Sequence, residues 1–219
     1  MDWSSYSLAD FLMFGPEVFL RLYSRVNRDF WPWPVVTVLA SVLMAWLLTL
    51  GELWARRAVL ALLGMAWVCS GAGFMLRYYG PINSPVEYFG WGFIAQGIAL
   101  GLTAVVWRPE SASPDTSRRR LIALAWLLVV CLLPWLVVME SGEWQALGLF
   151  AITPDLTVLA SLFSLLLLPR RLRALLLLLP ALWAVFSALT LWTLGMTVLL
   201  IMPLATLALI PFAISSRQR

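Results

Sequence analysis

Nearly every residue able to do chemistry falls in three polar segments of an otherwise apolar chain. The first runs Arg77-Tyr78-Tyr79-Gly80-Pro81-Ile82-Asn83-Ser84-Pro85-Val86-Glu87-Tyr88. An Arg77–Glu87 pair across this turn would neutralise two charges that a bilayer surface penalises, either as a plain hairpin clasp or as the charged entrance to a polar cavity. Asn83 sits between them. Gln96 follows about two turns below Glu87, where an amide in an apolar span needs a partner on another helix. The second segment is Glu140-Ser-Gly-Glu143. Two carboxylates three residues apart suit a hard cation, and they suit a hydrated turn at least as well. The third is Thr153-Pro154-Asp155. Proline cannot continue a helix interior and aspartate is a strong N-cap, so Asp155 is expected to cap a half-length helix that starts below the outer surface. Broken helices of this kind line ion and solute sites in transporters, and they also serve as short tilted spans.

What the chain lacks excludes much. It has no histidine and no lysine. A retinal Schiff base, a His-ligated haem or metal and an imidazole relay are therefore ruled out. Ser and Thr have no ordinary base beside them, so no catalytic residue is assigned and an enzyme is disfavoured, a carboxylate-only site being the remaining form. Cys69 and Cys131 both fall in apolar runs and read as buried packing residues. The methionines are scattered, without the close spacing a soft-metal site needs, so no metal and no cofactor is expected.

The elements that must position these residues are membrane spans. Hydrophobic residues make up 62% of the 219 positions and charged residues 12%, against roughly 25% charged in a soluble domain. A spanning helix needs about 20 mainly apolar residues. Seven such runs are legible: Trp33–Trp54, Ala58–Phe74, Pro85–Trp107, Leu121–Met139, Leu156–Leu168, Ala174–Leu191 and Gly195–Ile214. Six spans with one re-entrant element is the alternative, because the fifth run is short. Gly97 and Gly101 form a small-xxx-small pair suited to close helix packing. Ahead of the first span, Val18, Phe19, Leu22, Tyr23 and Val26 make an apolar stripe opposite Glu17, Arg21, Arg25 and Arg28, the pattern of a helix lying in the headgroup plane.

Eleven of the fifteen arginines lie in alternate loops and the tail, at Arg56-Arg57, Arg108, Arg118-Arg119-Arg120, Arg170-Arg171, Arg173, Arg217 and Arg219. Basic clusters beside spans stay cytoplasmic. The expected topology is N-terminus out and C-terminus in, with Arg21, Arg25, Arg28 and Arg77 on the outer side against eight carboxylates. The basic charge is thus a matter of topology, and no nucleic-acid partner is expected.

Several stretches also resemble a known group. Tyr6 to Pro16, Arg21-Leu22, Asn27, Trp31-Pro32, Ile82-Asn83, Phe93 to Gln96, Phe150 to Thr157, Pro180 to Trp183 and Thr190 to Gly195 are similar to the bacterial membrane family filed as domain of unknown function 6064. Leu156 departs from it, since a proline is expected after Asp155. The resemblance implies an integral membrane protein and supplies no activity, substrate or cofactor.

The expectation is an all-α, polytopic membrane protein: an interfacial segment at 1–32, a transmembrane helical domain at 33–214 and a cytoplasmic tail at 215–219, in the inner membrane of a bacterium. One function reading is small-solute or ion binding and transport through an outward-facing site of Asp155, Gln96, Glu87, Asn83, Arg77, Glu140 and Glu143. The other is a structural or accessory subunit of a larger membrane complex, with the same residues paired in clasps. The bilayer is the first partner, and a second copy or a complex subunit is the next. Topology is testable directly: a cysteine placed at Ser113 should resist a membrane-impermeant thiol reagent added from the periplasmic side. Labelling there would invert the assignment.

Overall fold

The computed structural model describes residues 14–106 and 115–216. The first part of the N-terminal segment, most of the connector around Arg108, and Arg217 and Arg219 lie outside the described residues. The described residues are helical, with no strand among them. Ten α-helices follow in order: α1 (Pro16–Asp29), α2 (Trp33–Thr49), α3 (Leu53–Cys69), α4 (Ser84–Val106), α5 (Thr116–Leu132), α6 (Pro134–Ser141), α7 (Pro154–Leu165), α8 (Arg170–Leu176), α9 (Leu178–Thr193) and α10 (Ile201–Ser215). α3 continues through a π-helical segment, Ser70–Tyr79, and a short turn, Gly80–Ile82.

Four continuous helical stretches are long and apolar enough to cross a membrane: Leu53–Ile82, Ser84–Val106, Thr116–Ser141 and Arg170–Thr193. α1 and α2, bent by 90° at a short break, would make a fifth crossing if taken together. α7 has 12 residues and α10 has 15, both short of a full bilayer thickness. Leu124, Leu128, Leu132 and Trp135 on α5 and α6, like Leu182, Val185 and Leu189 on α9, point outward. Such a surface suits lipid and not water.

Helix pairing in an apolar medium depends on close van der Waals contact rather than on expelling water. Glycine therefore decides the tightest interface. α3 with its π segment runs antiparallel to α4, and two glycine pairs meet across the seam. A Cβ on Gly64 would stand 2.6 Å from the Gly97 carbonyl oxygen, and one on Gly97 would stand 2.5 Å from the Gly64 oxygen. One turn pair further along, a Cβ on Gly71 would stand 2.8 Å from the Gly90 oxygen. The repeat is seven residues on each helix. The expected Gly97–Gly101 pair takes part unequally: the Gly101 backbone nitrogen would stand 3.2 Å from a Cβ on Gly64, but a Cβ on Gly101 itself would meet nothing within 4 Å.

α7 is the centre of the bundle. It packs against α3, α5, α9, α10 and the π segment, and every residue but Phe163 is buried. Its polar side chains, Ser164 apart, are hydrogen-bonded inside the bundle. Thr153, Thr157 and Ser161 each donate to the carbonyl four residues back, and Trp67 on α3 donates its indole N–H to Ser161 Oγ at 2.8 Å. At one end of the bundle the arginine-rich turns come together. Arg119 donates to the Thr49 carbonyl, the last residue of α2. Arg173, wholly buried, donates to the carbonyls of Leu166 and Ser216, which close α7 and α10. A cation on two helix C-termini is matched to their dipoles. The carboxylate-bearing turns gather at the opposite end, under α1.

The α1 stripe is present, with one change. Phe19, Leu22, Tyr23 and Val26 are buried, whereas Val18 is exposed. The buried face meets protein: Tyr23 packs on Phe74 and Phe19 on Tyr79, both from the π segment. α1 is a cover on the end of the bundle rather than a helix lying only in headgroups.

The glycine seam sets a prediction. Gly97→Ala should lower the thermal midpoint in detergent by the equivalent of about 1–3 kcal/mol, the usual result of overpacking. Gly101→Ala, with room for its methyl group, should be neutral or stabilising by about 0.5–1 kcal/mol. Equal responses of the two would refute this seam.

Candidate functional site

A carboxylate buried at the head of the central helix forms the centre of the site. The chain leaves α6 at Gly142, whose φ of 71° ends that helix in the left-handed region, and turns inward through residues 147–153. From Gly148 to Thr153 this non-helical stretch is buried. Much of its backbone is bonded by local turns, by side chains and by the Pro134 carbonyl. Asn27 on α1 donates to the carbonyls of Gln145 and Leu147 at 2.8 and 2.9 Å. Gly148 N–H donates to the Pro134 carbonyl. Ala151 takes a φ of 64°, unusual for a residue with a Cβ, and its N–H donates to Thr157 Oγ1 at 3.0 Å.

The half-length helix then begins as expected, but its cap differs. Thr153 holds the N-cap position, Pro154 the first helical position, and Asp155 falls in the first turn. Proline at this position loses no hydrogen bond, because a first-turn N–H has no partner within the helix. Asp155 is left free to face sideways. Its Oδ1 accepts from the Trp183 indole N–H on α9 at 2.9 Å, and the Ser187 hydroxyl, one turn along α9, faces the same carboxylate. Trp183 is fixed by ring contacts with Phe89 and Phe93 of α4.

Phe19 and Tyr23 of α1, Phe74 and Tyr79 of the π segment, and Ser187 and Thr190 of α9 enclose the carboxylate. The cavity leaves about 10 Å³ for the centre of a water molecule, close to the minimum for holding one. Asn83 donates to the Tyr79 hydroxyl at 3.2 Å, and Thr190 lies beside that hydroxyl. No ion pair to Asp155 forms among the described residues, the two present being Arg25–Asp29 and Arg28–Asp29.

Of the seven residues expected at one outward-facing site, the structure joins two. Asp155 is inside, and Asn83 supports it through Tyr79. Gln96 is fastened elsewhere. Its Nε2 donates to the Leu176 carbonyl at 2.7 Å. Leu176 is four residues before Pro180, so this carbonyl is the one that Pro180, lacking an N–H, leaves unbonded. Gln96 replaces that missing donor and marks the break between α8 and α9. Arg77 does not pair with Glu87. Its guanidinium lies 5.2 Å from the Phe30 ring centroid and 5.7 Å from that of Tyr78, while Glu87 is exposed. Glu143 accepts from Ser24 on α1 at 2.8 Å and so ties the cover helix down. Glu140 is half-buried nearby, on the last turn of α6. At the end of α1, the Tyr78 hydroxyl donates to Asp29 at 3.0 Å. That bond, aided by Arg28 and Arg25, holds the exposed Asp29 carboxyl below the usual carboxylate range.

Trp183, Tyr23, Tyr79 and Ser187 were not legible as site residues. Trp183 carried a usable signal: an indole in mid-span, far from the interfacial belts, needs an acceptor. The tyrosines carried none, because their contact with Asp155 depends on how α1 folds back.

A family sequence profile, described as Family of unknown function (DUF6064), matches residues 16–218. No curated protein and no solved structure matches the chain.

The Gln96 clasp is open to a double-mutant test. Gln96→Leu should cost about 1–3 kcal/mol in detergent stability by stranding the Leu176 carbonyl. In a Pro180→Ala background, which restores a backbone donor, the same change should cost measurably less. Additive costs would show that the clasp does not serve that carbonyl.

Proposed function

The chain belongs to the family of unknown function DUF6064, and from that premise we propose that it is a membrane transport protein in which Asp155 takes up and releases a proton beneath the cover formed by α1. One observation carries this reading: a carboxylate is buried at the head of a half-length helix with neutral donors around it and, among the described residues, no cation opposite. An isolated buried charge is too costly to persist, so such a group is neutralised by a proton or a bound cation. The surroundings favour the proton. Hard cations need six or more oxygen ligands, whereas here an indole N–H and the positive end of α7 face the carboxyl. Burial supports the neutral form and these donors support the charged form. That opposition suits a group that exchanges protons.

The cavity is too small for an organic solute in this arrangement, so the solute reading narrows to the ion. Exchange with the outside requires α1 to move, and its ties, Asn27 to the 145–147 backbone and Ser24 to Glu143, lie at the rim. The further parts of this reading are seven crossings, with α2, α7 and α10 completing the count, an outward N-terminus and the bacterial inner membrane. The accessory-subunit reading draws on Gln96, which behaves as a clasp.

Proton flux into dye-loaded proteoliposomes tests the proposal. Asp155→Asn keeps an oxygen for Trp183 and should retain near wild-type stability while abolishing flux. Asp155→Ala should lose flux and, by leaving the buried indole N–H unbonded, about 1–3 kcal/mol of stability. Full flux in Asp155→Asn, or none in the wild type, would overturn the transport reading in favour of the accessory one.

A further inference from the structure

A second cavity lies on the flank of the bundle, in the angle between α1, α2 and the π segment. It has a volume of about 440 Å³, within the range of sites that hold small molecules. It is lined by Phe30 and Trp33, by Gly73 and Phe74 of the π segment, and by Ala151 and Ile152. These surfaces are apolar. Cys69 and Arg77 also line it, so the groove runs about two helical turns along the π segment and ends at a guanidinium.

That end is positively charged. Arg77 is exposed and makes no ion pair among the described residues; its contacts are the rings of Phe30 and Tyr78. Arg25 lies over the other partner ring, 5.5 Å from the Tyr78 centroid. Asp29 is engaged by Arg25 and Arg28 at 3.5 and 3.7 Å. Two guanidiniums therefore share one carboxylate, and Arg77, the third, has no carboxylate among the described residues. A long apolar slot that ends in an unneutralised arginine has the complementarity of an anionic amphiphile.

We propose that this groove holds one acyl chain of an anionic lipid, with the lipid phosphate on Arg77. The proposal accounts for a cluster of arginines on the side of the membrane where the charge bias predicts few. It also accounts for Gly73. A Cβ there would meet nothing nearer than Phe30 Cζ at 3.9 Å, so the missing side chain leaves the groove open and is not demanded by helix packing. Phe74 lines both this groove and the Asp155 cavity. The bound chain would thus lie one side chain away from the carboxylate, although the proposal stands or falls independently of proton exchange there.

Native mass spectrometry of the protein released from phosphatidylcholine nanodiscs doped with phosphatidylglycerol tests it. The wild type should retain one phosphatidylglycerol in preference to phosphatidylcholine. Arg77→Gln should reduce that retention about five-fold, the usual effect of one arginine on an anionic lipid. Gly73→Leu, which fills the groove, should abolish it while the thermal midpoint in detergent is kept. Equal retention of the two lipids would overturn the proposal, as would wild-type retention in Gly73→Leu. Release of the lipid by inorganic phosphate alone would assign the site to a free anion and overturn it too.

Discussion

A buried stretch of backbone that is not helical constrains the rest of this structure. Between α6 and α7 the chain enters an apolar bundle with its peptide groups unpaired by any helix. In such a medium each peptide group left unbonded would cost several kcal/mol. The neighbouring elements are arranged to prevent that. Asn27 bonds two carbonyls at the start of the stretch, Pro134 supplies an acceptor for Gly148, and Thr157 reaches back from α7 to Ala151. α1 is held on the end of the bundle because one of its side chains is needed there.

The same entry creates the chemistry. A helix that starts inside the bundle brings its first turn, and Asp155 with it, to a depth that a full-length span would pass through with carbon side chains. Pro154 makes the start local, Trp183 gives the carboxylate a direction, and the aromatic residues of α1 and the π segment remove solvent. The π segment serves this arrangement. Its buried residues come in adjacent pairs four positions apart, Ser70-Gly71, Phe74-Met75 and Tyr78-Tyr79. The wider i→i+5 turn keeps all three pairs on one face, so Phe74 and Tyr79 both reach the site while Gly71 still meets Gly90.

Much of this was legible in the sequence, and the missing parts share a cause. Apolar length marks the helical stretches, although among the described residues four of them, or five with the bent pair, and not seven are long enough to span, and Thr-Pro-Asp marks the half-length helix, because both signals are local. The α1 stripe was also local, but its partner was not: periodicity shows that a face is apolar and cannot say whether lipid or protein covers it. Charge and proximity in the chain favour an Arg77–Glu87 pair, yet the guanidinium lies against two aromatic rings instead. Gln96, an amide in an apolar run, signals the need for a partner. The partner was a carbonyl that Pro180 had freed 80 residues away, which no spacing rule reveals. Arg173, one of a basic cluster, is buried on the ends of α7 and α10, because the sequence does not show which helix ends come together around it.

The proposed role of Asp155 requires an enclosed carboxyl that changes its proton without the fold coming apart. Infrared difference spectra of the purified protein through a pH titration, wild type against Asp155→Asn, address it most directly. A carboxylic-acid C=O band should be present in the wild type, absent from the variant, and lost as pH rises while the helical amide signal stays constant. A wild type whose carboxyl bands match those of the variant at every pH would contradict it.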